Sequence, residues 1–210
     1  MGKKAYSVRD IAAKKWKVLP WGELWSGPFG HPADNACWFV CGKSASGKSS
    51  FVMQLAKELC SYGPVLYMSY EEGVSQNFQR RMEYLGMSEV QGRLRVVVDD
   101  SYEELMARLK KKKSPKFVVV DSFQECGWGE SLYPLARDLV KTFPRKSFIF
   151  VSQEYKGAPA GKPAGHLRHL ADMKIWVSGF KAYCQGRSSE DPGSYYVVWK
   201  DGLIRTSNKL

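Results

Sequence analysis

Eight residues, GKSASGKS from Gly42 to Ser49, match G-x-x-x-x-G-K-[ST] at every fixed position. The chemistry open to such a stretch is phosphate binding. Glycines let the backbone bend until successive N–H groups point at phosphate oxygens, and a helix starting just behind them adds its positive dipole. Lys48 would reach the outer phosphates of a nucleoside triphosphate, and Ser49 would coordinate magnesium. The nucleotide-contacting set is therefore expected to be Gly42, Lys43, Ser44, Ala45, Ser46, Gly47, Lys48, Ser49 and Ser50, with ATP and Mg2+ as the ligands.

Two further acidic positions could complete such a site. KFVVVDSFQ carries an apolar run, Phe117 to Val120, that ends in Asp121. An acid at the carboxyl end of a buried parallel strand beside a phosphate loop can hold magnesium. VLYMSYEE ends another apolar run with adjacent Glu71 and Glu72. One of them could polarise the water that attacks a terminal phosphate. The other would cap the next helix, whose N-terminus favours negative charge.

These groups need a scaffold that brings strand ends to one edge. The chain alternates apolar runs with helical patterns: CWFVC, then a helix with Phe51, Leu55 and Leu59 on one stripe; PVLYMS, then VSQNFQRRMEYLG; LRVVV, then SYEELMARLKKKK; FVVVD, then LYPLARDLVKTF; and SFIFVS. Continuous apolar strands separated by helices imply an α/β fold with a mostly parallel sheet covered on both faces. MKIWVS, FKAYCQ and SYYVVWKDG read as a closing β extension. Ser7 with Asp10, and Ser101 with Glu104, have capping-box spacing. Residues 1–35 read as an irregular N-terminal segment with a short basic helix, and 36–210 as the core. EYKGAPAGKPAGHLRHLAD, rich in Gly, Pro and Lys, reads as a long loop.

The stretch VLYMSYEEGVSQNFQRRMEYLG resembles the segment after the phosphate loop in the RecA superfamily, above all its RadA-like and DnaB-helicase-like branches. VVVDSFQ is similar to that family's Walker B segment and FIFVSQ to its sensor strand. The resemblance covers about residues 36 to 200. It implies a RecA-like P-loop NTPase fold and ATP hydrolysis, with Glu71 as catalytic base, Asp121 on magnesium and Gln153 sensing the γ-phosphate. It also implies a ring or filament, in which Arg187 would serve a neighbouring subunit's nucleotide; the same arginine could simply sit in a hairpin. These 210 residues carry no counterpart of the zinc finger or protease-like domain of RadA-like proteins or of the helical N-terminal domain of DnaB-like helicases, so an ATPase core alone is expected from them. Such a stripped ATPase core is similar to the short RecA-like cores of phages and mobile elements.

The resemblance further implies a DNA partner, expected to be single-stranded, in recombination, repair or strand handling. The stretch after Gln153 would line a DNA channel with Lys156, Lys162 and Arg168. Trp128 could stack on a base or pack on the sheet edge. The composition is compatible: 32 basic against 21 acidic residues give a net charge of +11, which favours polyanionic partners. Two other readings stay open: a nucleotide-dependent switch or assembly protein that never engages DNA, and a DnaB-like ring helicase motor. A small-molecule kinase would need an arginine-rich lid that the Gly/Pro-rich stretch does not supply.

The five cysteines have no CxxC pair and no histidines at zinc spacing, which fits a reducing cytoplasm. No apolar run approaches the ~18 residues of a membrane helix, and the N-terminus lacks a signal-peptide core. A cytoplasmic protein without a membrane partner is expected.

Overall fold

The computed structural model describes residues 5–185 and 193–207. In chain order the elements are α1 (Val8–Ala12), α2 (Glu23–Phe29), β1 (Cys37–Gly42), α3 (Lys48–Leu59), β2 (Val65–Ser69), α4 (Gln76–Tyr84), β3 (Leu94–Val97), α5 (Tyr102–Lys110) and β4 (Phe117–Asp121). They continue with α6 (Leu132–Thr142), β5 (Ser147–Tyr155), β6 (Ala158–Pro159), α7 (Lys162–Leu170), β7 (Met173–Ser178), β8 (Lys181–Cys184), β9 (Tyr195–Val197) and α8 (Lys200–Ser207). The strands form one sheet of nine in the order β3-β2-β4-β5-β1-β7-β8-β9, with β6 paired to β5. From β3 to β7 the pairing is parallel; β7–β8, β8–β9 and β5–β6 are antiparallel.

The continuous apolar strands are explained by cover on both faces. Because side chains alternate along a strand, Trp38, Val40, Tyr67 and Val119 face one core, which takes in α3 and Phe78 of α4. Cys37, Phe39, Cys41, Met68 and Val120 face the other, with Leu105 of α5, Leu139 of α6 and Leu167 of α7. Both predicted capping boxes are formed, at Ser7/Asp10 and Ser101/Glu104. The expected segment before residue 36 has more order than its Pro, Gly and Trp content suggests. Trp21, Trp25 and Phe29 are buried with Phe51 and Tyr196, and Trp25 stacks on Tyr196 at 4.4 Å between ring centroids. Large aromatic area removed from water anchors α2 despite its internal Pro28.

The expected long loop after Gln153 is not a loop. β5 runs on to Tyr155, turns through Lys156 at φ 50° and Gly157 at φ 82°, and pairs back with Ala158–Pro159. Next comes α7, with Pro163 in its first turn, where a missing N–H costs nothing. Ala164 and Leu167, three residues apart on one face, are buried against α6 and β1. That apolar pair, hidden among glycines and cations, outweighs the breaker composition.

Candidate functional site

All parallel strands end at the same edge, so β1, β2, β4 and β5 deliver their last residues to one place. Gly42 is the register partner of Gln153, and Ser69 that of Asp121. The phosphate-loop stretch leaves β1 here and enters α3 at Lys48. Glycine at position 42 is required by space: an added Cβ would run into the Val177 carbonyl on β7. Gly47 sits at φ 94°, in the left-handed region. The loop is braced from outside by the β7–β8 turn, where the Phe180 N–H donates to the Ser46 carbonyl at 3.1 Å. The Ser46 hydroxyl is buried, with no hydrogen-bond partner among the described residues. Lys48 is also nearly buried, at the first turn of α3. The first N–H groups of that helix have no intrahelical acceptor, which makes this end a receptor for anions.

Beside it lies a cavity of about 310 Å³ lined by Ser49, Glu71, Glu72, Arg81 and Asp121. Asp121 accepts a hydrogen bond on Oδ2 from the buried Tyr67 hydroxyl of β2. Burial pushes the Asp121 carboxyl above its usual range, with Glu71 adding to the effect, while Tyr67, Lys48 and Arg81 oppose it. The Tyr67 hydroxyl is held well above its usual range, first by burial and then by Asp121, so the tyrosine keeps its proton and donates it. The Asp121–Ser122 peptide is cis.

Glu71 is exposed, and one of its oxygens accepts from the Gln153 side-chain amide at 3.1 Å. The expected base and the expected sensor, 82 positions apart, therefore touch across β4. Glu72 does not cap α4 as its position suggested. Ser75 does so, accepting the Phe78 N–H at 3.1 Å. Glu72 instead binds Arg81 through both oxygens, at 2.6 and 3.3 Å.

Three residues of the site escaped the sequence reading: Tyr67, Arg81 and Gln124. Gln124 donates to the Ser152 hydroxyl at 2.7 Å and to the Ala160 carbonyl at 3.1 Å, fixing the β5–β6 hairpin beside Gln153. Tyr67 lies two residues before Ser69 on a strand, hence on the same face; that spacing was a usable signal. Arg81 and Gln124 carried none, because their partners depend on strand order.

Of the expected DNA contacts, Lys156 and Lys162 stay exposed at this edge, one at the hairpin tip and one at the start of α7. Arg168 does not join them. It lies in the last turn of α7, about 9 Å along the helix from Lys162 at 1.5 Å per residue, and donates to Gln185 at 3.2 Å. Base stacking by Trp128 is likewise corrected. The residue is 6% exposed and its ring packs edge-on against Tyr102 at 5.5 Å, on a helix and not on the expected sheet edge. The loop after β4 folds onto α5 because a buried indole gains more than an exposed one. Arg187 lies outside the described residues.

Strand order, helices on both faces and the loop at the carboxyl edge define a RecA-like α/β P-loop NTPase fold. Among solved structures, the chain is similar to the flagellar accessory protein FlaH from Methanocaldococcus jannaschii, with a TM-score of 0.59 and 15% identity over 86% of this chain and 93% of that one. At that identity the likeness is one of fold. No family model and no curated protein matches the chain. No helix among the described residues is long and apolar enough to cross a membrane.

Proposed function

We propose that the chain binds ATP with Mg2+ and hydrolyses it. The observation that carries this reading is the contact between Glu71 and Gln153 beside the cavity that Ser49 and Asp121 line. The residues proposed as base, as γ-phosphate sensor and as magnesium ligands thus lie beside the phosphate-loop stretch.

The loop fits a triphosphate on its own geometry. Its bend is fixed at Gly42 and Gly47, and its buried Ser46 hydroxyl awaits a partner. Backbone N–H groups at the start of α3 would hold phosphate oxygens, and Lys48 would set its charge against the outer phosphates. Ser49 and Asp121 would hold the magnesium. A carboxylate that burial destabilises as an anion gains most from a divalent cation. Bound Mg2+ would neutralise charge on the phosphate oxygens. Glu71 would orient the attacking water and take its proton, being exposed to the cavity and only half engaged by Gln153.

ATP binding and turnover by three proteins test the reading. The wild type should bind and hydrolyse. Lys48→Ala should lose at least two orders of magnitude in turnover, of the order seen when one electrostatic donor is removed. Glu71→Gln should bind ATP–Mg2+ but turn it over ~10² to 10⁴-fold more slowly. Full activity in either variant contradicts the assignment. Binding by the wild type without turnover would favour the nucleotide switch.

Single-stranded DNA is the proposed partner, within recombination, repair or strand handling, with self-association into a ring or filament. Support comes from the net charge of +11 and from exposed Lys156 and Lys162 at the edge that holds Gln153. Binding there would bear on the sensor through the hairpin that Gln124 pins.

A further inference from the structure

We propose that Arg81 is a positioning residue of this site: by neutralising Glu72 it leaves Glu71 as the one of the two adjacent glutamates that is free for chemistry. The inference rests on the triphosphate reading and adds a division of labour between neighbouring acids.

Three carboxylates, from Glu71, Glu72 and Asp121, line one cavity. A polyanion has to enter it. Each unpaired carboxylate within about 10 Å of the phosphates opposes that entry, because Coulomb repulsion at this range is weakened but not abolished near a protein surface. Asp121 has Lys48 nearby and Tyr67 as hydrogen-bond donor. Among the described residues, Glu71 has only the neutral Gln153 amide. Glu72 is treated differently. The Arg81 guanidinium meets both its oxygens in a fork, and the Ser75 hydroxyl donates to Oε1 at 3.4 Å. With both oxygens engaged by a cation and one by a hydroxyl, Glu72 has its charge offset and most of its acceptor capacity taken up, which disfavours it as a partner for a water or a metal.

Arg81 is held where it must be to do this. It projects from α4, which Ser75 caps and which Phe78 docks against Tyr67 at 5.7 Å between ring centroids. That same tyrosine holds Asp121. One helix–strand contact thus fixes the cation that silences Glu72 and the donor that orients Asp121. The pair is only about a quarter exposed, with side-chain accessibilities of 21% and 27%, so water screens it incompletely.

The test is a double-mutant cycle read by calorimetric binding of ATP and of inorganic tripolyphosphate, each with Mg2+, alongside thermal melting. Arg81→Ala should weaken both ligands roughly tenfold, since it exposes a carboxylate to the phosphates. Glu72→Gln should bind at least as tightly as the wild type and keep its turnover, unlike Glu71→Gln. The double variant Arg81→Ala/Glu72→Gln should return to within about twofold of wild-type affinity, although it lacks the ion pair altogether. A double variant as weak as Arg81→Ala would overturn the inference, because the arginine would then act on the phosphates or on the fold. Normal binding by Arg81→Ala would overturn it too. Should Arg81→Ala fail to fold, Arg81→Gln replaces it in the same cycle, with the same expected order. A wild type that binds neither ligand refutes the triphosphate reading, and this inference falls with it; wild-type binding with an unrestored double variant refutes the inference alone.

Discussion

Two glycine- and lysine-containing stretches leave neighbouring strands at one level of the sheet, since Gly42 and Gln153 are register partners. The first, after β1, turns at once into α3 and points the helix N-terminus at the edge. The second, after β5, overshoots as a hairpin and then packs α7 against α6 and β1. Similar composition has produced a receptor in one place and a buttress in the other. The difference lies in the residues just past the glycines. Behind Gly47 come Lys48 and Ser49, the proposed phosphate and magnesium contacts, and then Phe51, which is buried. Behind Gly161 the residues that matter are Ala164 and Leu167, which fill a core. Glycine and lysine content alone therefore says little about binding; the side chains fixed just beyond the turn decide it.

The sharpest way to break this contrast is to attack the buttress. Leu167 is fully buried, so Leu167→Ala should cost about 2–5 kcal/mol in urea unfolding. A loss below ~0.5 kcal/mol would mean that the stretch after Gln153 is a surface loop after all.

Next in size is the receptor's own backbone. Gly42→Ala must push the loop away from the Val177 carbonyl, an overpacking expected to cost about 1–3 kcal/mol. ATP affinity should fall with it, since the loop's N–H groups would be re-aimed. Unchanged melting and unchanged affinity together would show that the space at Gly42 is not limiting.

The smallest effect separates the two ends of α7. If single-stranded DNA meets the edge, replacing Lys156 and Lys162 with Ala should flatten the salt dependence of binding by about 1.4 in log–log slope, at ~0.7 per phosphate contact. Arg168→Ala should leave the slope unchanged, because that side chain is engaged by Gln185 at the far end of the helix. An equal change from Arg168 would place the DNA along α7 and away from the strand ends.

What the sequence determined by itself is the local chemistry. The loop from Gly42 to Ser49 could be read because the proposed phosphate contacts depend on residues that are near neighbours in the chain. The buried runs that stop at Ser69, at Asp121 and at Ser152, just ahead of or at the site residues Glu71, Asp121 and Gln153, were readable for the same reason: cover on both faces leaves a continuous apolar run, although β5 itself goes on to Tyr155. The two capping boxes belong here as well, closing over three residues each. Tertiary structure decided the partners. Glu71 meets Gln153 only because β2 and β5 flank β4, a fact of strand order with no local trace. Glu72 and Glu71 are neighbours of one residue type, and the pairing of Glu72 with Arg81 depends on how α4 docks through Phe78 onto Tyr67. Trp128 and α7 were settled by the apolar area each could bury against α5, α6 and β1. Short-range patterns fix which groups reach the edge. Which of them remain free to act is fixed by contacts between residues far apart in the chain, since it is those contacts that supply or withhold a counter-charge.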